Sequence, residues 1–135
     1  MKKFLFLILL PIIFFGCGPV INKELMKSAS INVPFPEMKK DIDLYKGKLY
    51  VLGGLIVSTK FTEEDSVIEA AYVSVDKNGN LKKTKPSNVR FLATLAKEKG
   101  ILDPVLYKRG SEITVAGEFT GTKTEEIEKM NYTYP

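Results

Sequence analysis

Histidine and tryptophan are absent from the 135 residues, cysteine occurs once, and no apolar run is long enough to cross a bilayer core as a helix. Without histidine the commonest general base and metal ligand is missing. A single cysteine excludes an internal disulfide framework and any thiolate metal cluster. Charge is also nearly balanced: the formal net charge is +4, and without Lys2 and Lys3 the rest of the chain has 18 basic and 16 acidic side chains. That leaves no electrostatic footprint for nucleic acid. Most enzyme classes are disfavoured, and the sequence predicts no catalytic residue, no cofactor and no metal site.

What is present starts at the amino terminus. Met1-Lys2-Lys3 is a positive n-region, and Phe4 to Phe15 is an apolar run interrupted only by Pro11. Twelve residues suit the h-region of a bacterial signal peptide better than a membrane span, which needs about 20. Phe14-Phe15-Gly16-Cys17 resembles a lipobox, with the small Gly16 placed for cleavage and Cys17 as the new amino terminus. A lone thiol after an h-region has no core to enter and no partner to oxidise with, so Cys17 is expected to be the lipidation site. Several acyl chains there would hold the protein firmly to a membrane. Gly18 follows where an Asp would retain lipoproteins at the inner membrane under the enteric sorting rule, so the outer membrane is expected.

Residues 17–44 carry Pro19, Pro34 and Pro36 and no sustained period of 2 or 3.6, apart from a possible helical turn at Lys23 to Lys27. They read as a lipidated flexible tether, placing the domain boundaries at 1–16, 17–44 and 45–135. Fully extended, such a tether would reach roughly 80 Å.

From Gly47 the pattern turns to strands. Leu49, Val51, Leu55 and Val57 share one face and Tyr50, Leu52 and Ile56 the other, as in a central strand buried on both sides. Gly53-Gly54 in its middle suits a bulge, a coil or a close approach by another backbone, and predicts a bend. Val67 to Val75 makes a second strand, and Asn78-Gly79 a tight hairpin turn returning through Leu81. Ser87 or Asn88 can cap a helix carrying Leu92, Leu95 and Ala96 and ending at Gly100. Asp103-Pro104 and Lys108-Arg109-Gly110 read as turns. Ile113, Val115, Gly117 and Phe119 alternate with polar neighbours as a strand with one buried face, and Met130, Tyr132 and Tyr134 suggest a last strand. The expected fold is mainly β: a small antiparallel five-stranded barrel, OB-like, with one helix. An open sheet packed on one helix is the alternative.

Tyr45-Lys46-Gly47-Lys48 followed by Leu52-Gly53-Gly54-Leu55-Ile56 resembles the Slp family of bacterial outer-membrane lipoproteins. The likeness continues in Arg90-Phe91-Leu92-Ala93, in Leu102-Asp103-Pro104 with Tyr107 and Gly110, in Ile113-Thr114-Val115-Ala116-Gly117-Glu118 with Gly121, and in Tyr132-Thr133-Tyr134-Pro135. It covers roughly residues 45 to 135. Val89 stands where the family usually has glycine, and family members generally continue beyond this ending through a further strand with a tryptophan. The resemblance implies an outer-membrane lipoprotein linked to starvation and stationary phase, with no reaction attached.

The remaining candidates are few. Glu63-Glu64-Asp65 and Glu125-Glu126 with Glu128 are acidic clusters without calcium-loop spacing, and read as solvated turns. Lys82, Lys83 and Lys85 could meet anionic head groups, but a solvated hairpin flank accounts for them. Arg90 is expected to pair with Asp103 and fix the helix against the following loop, with recognition of a carboxylate or phosphate ligand as the alternative. Tyr107, Tyr132 and Tyr134 could form an aromatic platform for sugars or nucleobases, but ordinary core and edge packing is the favoured reading. Two functions compete: a noncatalytic envelope module, anchored through Cys17 and facing the periplasm, or a periplasmic binding module holding an oligosaccharide, lipid head group or peptide on the barrel face. The aromatic carboxyl-terminal strand should leave an open edge, ready to pair with an envelope protein or a second copy.

Overall fold

The computed structural model of the chain describes residues 21–127 and 130–134. Apolar residues on both sides of one segment require cover on both faces, and the segment that carries them is the central strand β1 (Leu49–Phe61). It pairs antiparallel with β2 (Asp65–Val73) on one side and with β4 (Glu112–Glu118) on the other. Strand β3 (Arg90–Ala96) extends the sheet beyond β2, giving the order β3-β2-β1-β4 in a curled half-barrel. Strands β5 (Lys123–Ile127) and β6 (Met130–Tyr134) form a separate two-stranded antiparallel sheet. The main sheet therefore has four strands rather than the five of the expected OB-like barrel.

Two local misreadings explain the difference. Asp76 to Asn80 does turn back, but the returning segment makes only an isolated bridge, Val75 to Leu81, before Lys82 to Pro86 runs exposed. The open edge of β2 is taken instead by residues 90–96, which were expected to be helical. Leu92, Leu95 and Ala96 do recur at helical spacing, yet Phe91, Ala93 and Leu95 also alternate, and the buried Phe91 beside Ala70 settles the choice. Only a single 3₁₀ turn, Lys97–Lys99, follows, and Gly100 ends it at φ +144°. Strand β4 also departs from expectation, being half-buried along both faces rather than buried on one.

The stretch expected as tether is folded where it is described. It forms helices α1 (Lys23–Ser28), α2 (Phe35–Lys40) and α3 (Ile42–Tyr45), of which α2 and α3 pack against one end of the sheet. Ser30 bonds the backbone of β1 where β2 has ended, accepting from Val51 N–H and donating to Leu49 O, each at 2.9 Å. Phe35 and Met38 are 6% and 2% exposed, with Phe35 edge-on to Tyr72 and Met38 packed with Tyr50 and Phe119. These apolar residues have no period because each plugs one hole instead of lining a face.

Gly53 and Gly54 sit where packing is tightest. A Cβ on Gly53 would lie 2.7 Å from Val73 O and 2.7 Å from Val75 Cγ1; one on Gly54 would lie 2.8 Å from Ala71 O and 3.0 Å from Phe91 Cε1. Of the three roles open to the pair, close approach is the one found. The break in register comes later, between Ile56 and Ser58, with Val57 as the extra residue.

The 74–82 arm is held by its own turn. The Asp76 carboxylate accepts from Asn78 N–H at 2.8 Å and Asn80 N–H at 3.0 Å, which holds it below the usual carboxylate range. Gly79, at φ +84°, accepts the Thr114 hydroxyl at 2.8 Å.

Three outcomes follow for stability. Gly54→Ala should cost about 1–3 kcal/mol, since backbone must move to admit one methyl group; an unchanged urea midpoint would refute the close approach. Met38→Ala should cost about 2–5 kcal/mol in the same titration, whereas a tether residue would cost nothing. Because the Asp76 pKa is depressed on folding, its contribution is present above the ordinary aspartate pKa and lost as pH falls through the folded value. Asp76→Asn should thus lower the melting temperature at pH 7 and converge on the parent protein in strong acid.

Candidate functional site

The curl of the sheet leaves a concave face closed at its two ends by different pieces of chain. At one end α2 brings Met38 onto Tyr50 and Phe119, with Ile42 and Tyr45 of α3 packed beside them, and sets Phe35 edge-on to Tyr72. At the other, Leu102 and Tyr107 from the loop after the 3₁₀ turn pack on Ile56, Ile68 and Phe91. Between them lies a cavity of about 450 Å³, lined largely by aliphatic and aromatic residues such as Leu52, Ile68, Phe91 and Val115. Burial raises the Tyr50 and Tyr72 hydroxyls above their ordinary range, Tyr45 adding to the effect at Tyr50, so both are neutral near pH 7. What such a lining offers a guest is shape and apolar contact.

Arg90 does not meet Asp103. Its Nη1 donates to Glu69 Oε1 at 2.7 Å, and Ser58 Oγ reaches the other oxygen of Glu69 at 3.3 Å. The reason is the change from helix to strand. An extended β3 carries Arg90 about 20 Å from the loop that follows Ala96, at about 3.3 Å per residue. Glu69 is 8% exposed, so its charge requires this partner. The signal that could have found it was its position as the single carboxylate inside the apolar run Val67 to Val73. Asp103 instead organises its own turn: its Oδ1 accepts from Val105 N–H at 2.8 Å, and its carbonyl accepts from Leu106 N–H at 3.0 Å and Tyr107 N–H at 2.8 Å. Pro104 is half-buried within that turn.

The other sequence candidates scatter. Tyr107 is half-buried at the cavity, and its carbonyl accepts the Thr59 hydroxyl at 2.6 Å. Gly110 adopts φ +85° and donates its N–H to Ile56 O at 2.8 Å, a conformational need with nothing near its Cβ position. Gly117 pairs with Tyr50, and nothing in the structure explains why it is glycine. Tyr132 and Tyr134 lie in β6 opposite Glu125 and Lys123. Cys17 and Glu128 lie outside the described residues. Lys82, Lys83 and Lys85 are exposed, as are Glu63 and Glu64 in the β1–β2 turn. Among the described residues no group of three or more metal-ligating side chains comes together, and no helix is long and apolar enough to cross a membrane.

Comparison with curated proteins and with solved structures gave no match. The outer membrane lipoprotein Slp family does match, over residues 14–135. That span runs from the Phe14 of the lipobox-like motif through the half-barrel and the carboxyl-terminal hairpin. The chain belongs to the Slp family of outer membrane lipoproteins.

Proposed function

We propose that the protein is a noncatalytic module of the cell envelope, anchored by acyl chains on Cys17 in the outer membrane with its half-barrel in the periplasm. The observation that carries this reading is the family match, which starts three residues before Cys17 and includes the only thiol in the chain. A small β module tied to a membrane acts by holding a surface where a partner can reach it. The partner in this reading is an envelope protein or a second copy meeting the edge of the β5–β6 hairpin, a two-stranded sheet whose strands pair with each other. Starvation and stationary phase are the conditions in which this role is proposed to matter, following the family resemblance.

Cys17→Ser should abolish fatty-acid labelling and release the protein from membranes on fractionation. Label retained in that variant would remove the anchoring reading. Crosslinking in intact envelopes from starved cells, followed by identification of adducts formed through β6, tests the interaction role.

A further inference from the structure

Strand pairing sorts the main sheet into two faces, and the concave one is apolar from edge to edge. Ile68 is paired with Ala93 and Leu52 with Val115, while Phe91 and Ile113 stand opposite Ala70 and Gly54. Of the described residues that line the cavity on this face only Glu118 is charged, and it alternates with Gly117 onto the outer face. Among the described residues no buried side-chain nitrogen or oxygen lacks a hydrogen-bond partner. The interior therefore asks a guest for neither charge nor hydrogen bonds.

Gly117 is an independent sign of a guest. It lines the cavity and is paired with Tyr50. Glycine inside a strand marks a bulge, a bend, or a close approach by another backbone or a ligand. The register of β4 on β1 runs without a shift from Glu112 to Glu118, and Gly117 is not one of the glycines with positive φ. Among the described residues a Cβ at Gly117 would meet only Val115 Cγ1, at 4.0 Å, whereas one at Gly53 or Gly54 would strike a β2 carbonyl oxygen. Neither conformation nor packing calls for glycine here, which leaves the ligand.

Shape narrows the class. The lining follows the chain from Ile113 through β4 to Phe119, a length of about 20 Å at about 3.4 Å per residue. A volume of about 450 Å³ along that length is a channel roughly 5 Å wide, which fits one unbranched hydrocarbon chain in contact with its walls. Ile68 and Phe91 on the far wall are buried, whereas Ile113, Val115 and Gly117 are half-buried, so entry is along β4, an edge of the main sheet. The guest is not the protein's own anchor. Thr114, on the other face of β4, holds Gly79, and Ile21 packs beside Gly79, so the link towards Cys17 leaves from the side opposite the cavity.

We propose that the channel along β4 binds the alkyl chain of a single-chain amphiphile, a fatty acid or a lysophospholipid, and leaves the polar head in solvent at its mouth. This site does not depend on the anchoring reading above.

The test uses the mature chain from residue 17 with Cys17→Ser, which keeps every described residue. Titration with cis-parinaric acid, whose fluorescence rises in an apolar site, should saturate at one probe per chain. Saturated fatty acids should displace it with an affinity that rises about fourfold per methylene and levels off once the channel is full. Displacement by lysophosphatidylethanolamine of equal chain length assigns the site to phospholipid products as well, and displacement by the fatty acid alone assigns it to free fatty acid. Gly117→Leu should weaken the probe about tenfold or more by filling the channel, without lowering the melting temperature. Val105→Ser with Leu106→Ser, on the exposed loop, should bind as the parent does. Uptake that does not saturate, affinity that climbs with chain length without levelling, undiminished binding by folded Gly117→Leu, or loss of binding in the loop variant would each overturn the proposal. Should Gly117→Leu fail to fold, photolabelling of the parent with a diazirine fatty acid decides. Adducts within residues 91–95 or 113–119 uphold the site, and adducts elsewhere overturn it.

Discussion

The backbone of β1 bonds to β2 and β4 at once, while both its faces are covered by other parts of the chain. These demands converge at Gly53 and Gly54, where a single added carbon on either would collide with a β2 carbonyl oxygen. From that contact much of the architecture follows. Gly54 lets Phe91 and Ala70 close on the concave side, and Gly53 lets Val75 and Leu81 lie against the strand. With the sheet drawn this close, Ile68 and Ala70 become fully buried.

A curled sheet of four strands still leaves two ends, and the chain closes them with segments that have no regular pattern. Met38 and Phe35 enter one end from the short helix α2, with Ile42 and Tyr45 of α3 beside Met38, and Leu102 and Tyr107 close the other from a loop. Neither plug would be stable alone: α2 and α3 have six and four residues, far below the length at which an isolated helix persists in water. Their stability is borrowed from the sheet, and the sheet's burial is borrowed from them.

This mutual dependence explains how far the sequence could be read. Strand β1, its central place and the turn at Gly79 were legible, because alternation and Asn-Gly chemistry are local signals. The family resemblance was legible for the same reason, being short strings in fixed order. Residues 90–96 were not, since their apolar spacing satisfies both periods and the decision lay in the unfilled edge of β2, some twenty residues earlier. Beyond the helical turn at Lys23 to Lys27, the segment up to residue 44 was not, because a plug needs one or two apolar side chains in the right place and leaves no period. The Arg90 partner was lost with the helix: once 90–96 is extended, Glu69 on the neighbouring strand is within reach and Asp103 is not.

Folding of residues 21–44 also changes what an anchor at Cys17 would mean. A free tether would let the domain sample a shell tens of ångströms deep. With Ile21 packed beside Gly79, that part of the domain lies within about 14 Å of chain from Cys17. Confinement at one point limits the orientations open to the domain. Orientation in turn decides which parts of the half-barrel face away from the bilayer. In an envelope protein whose proposed role is contact, the short link to the membrane is thus part of the binding geometry.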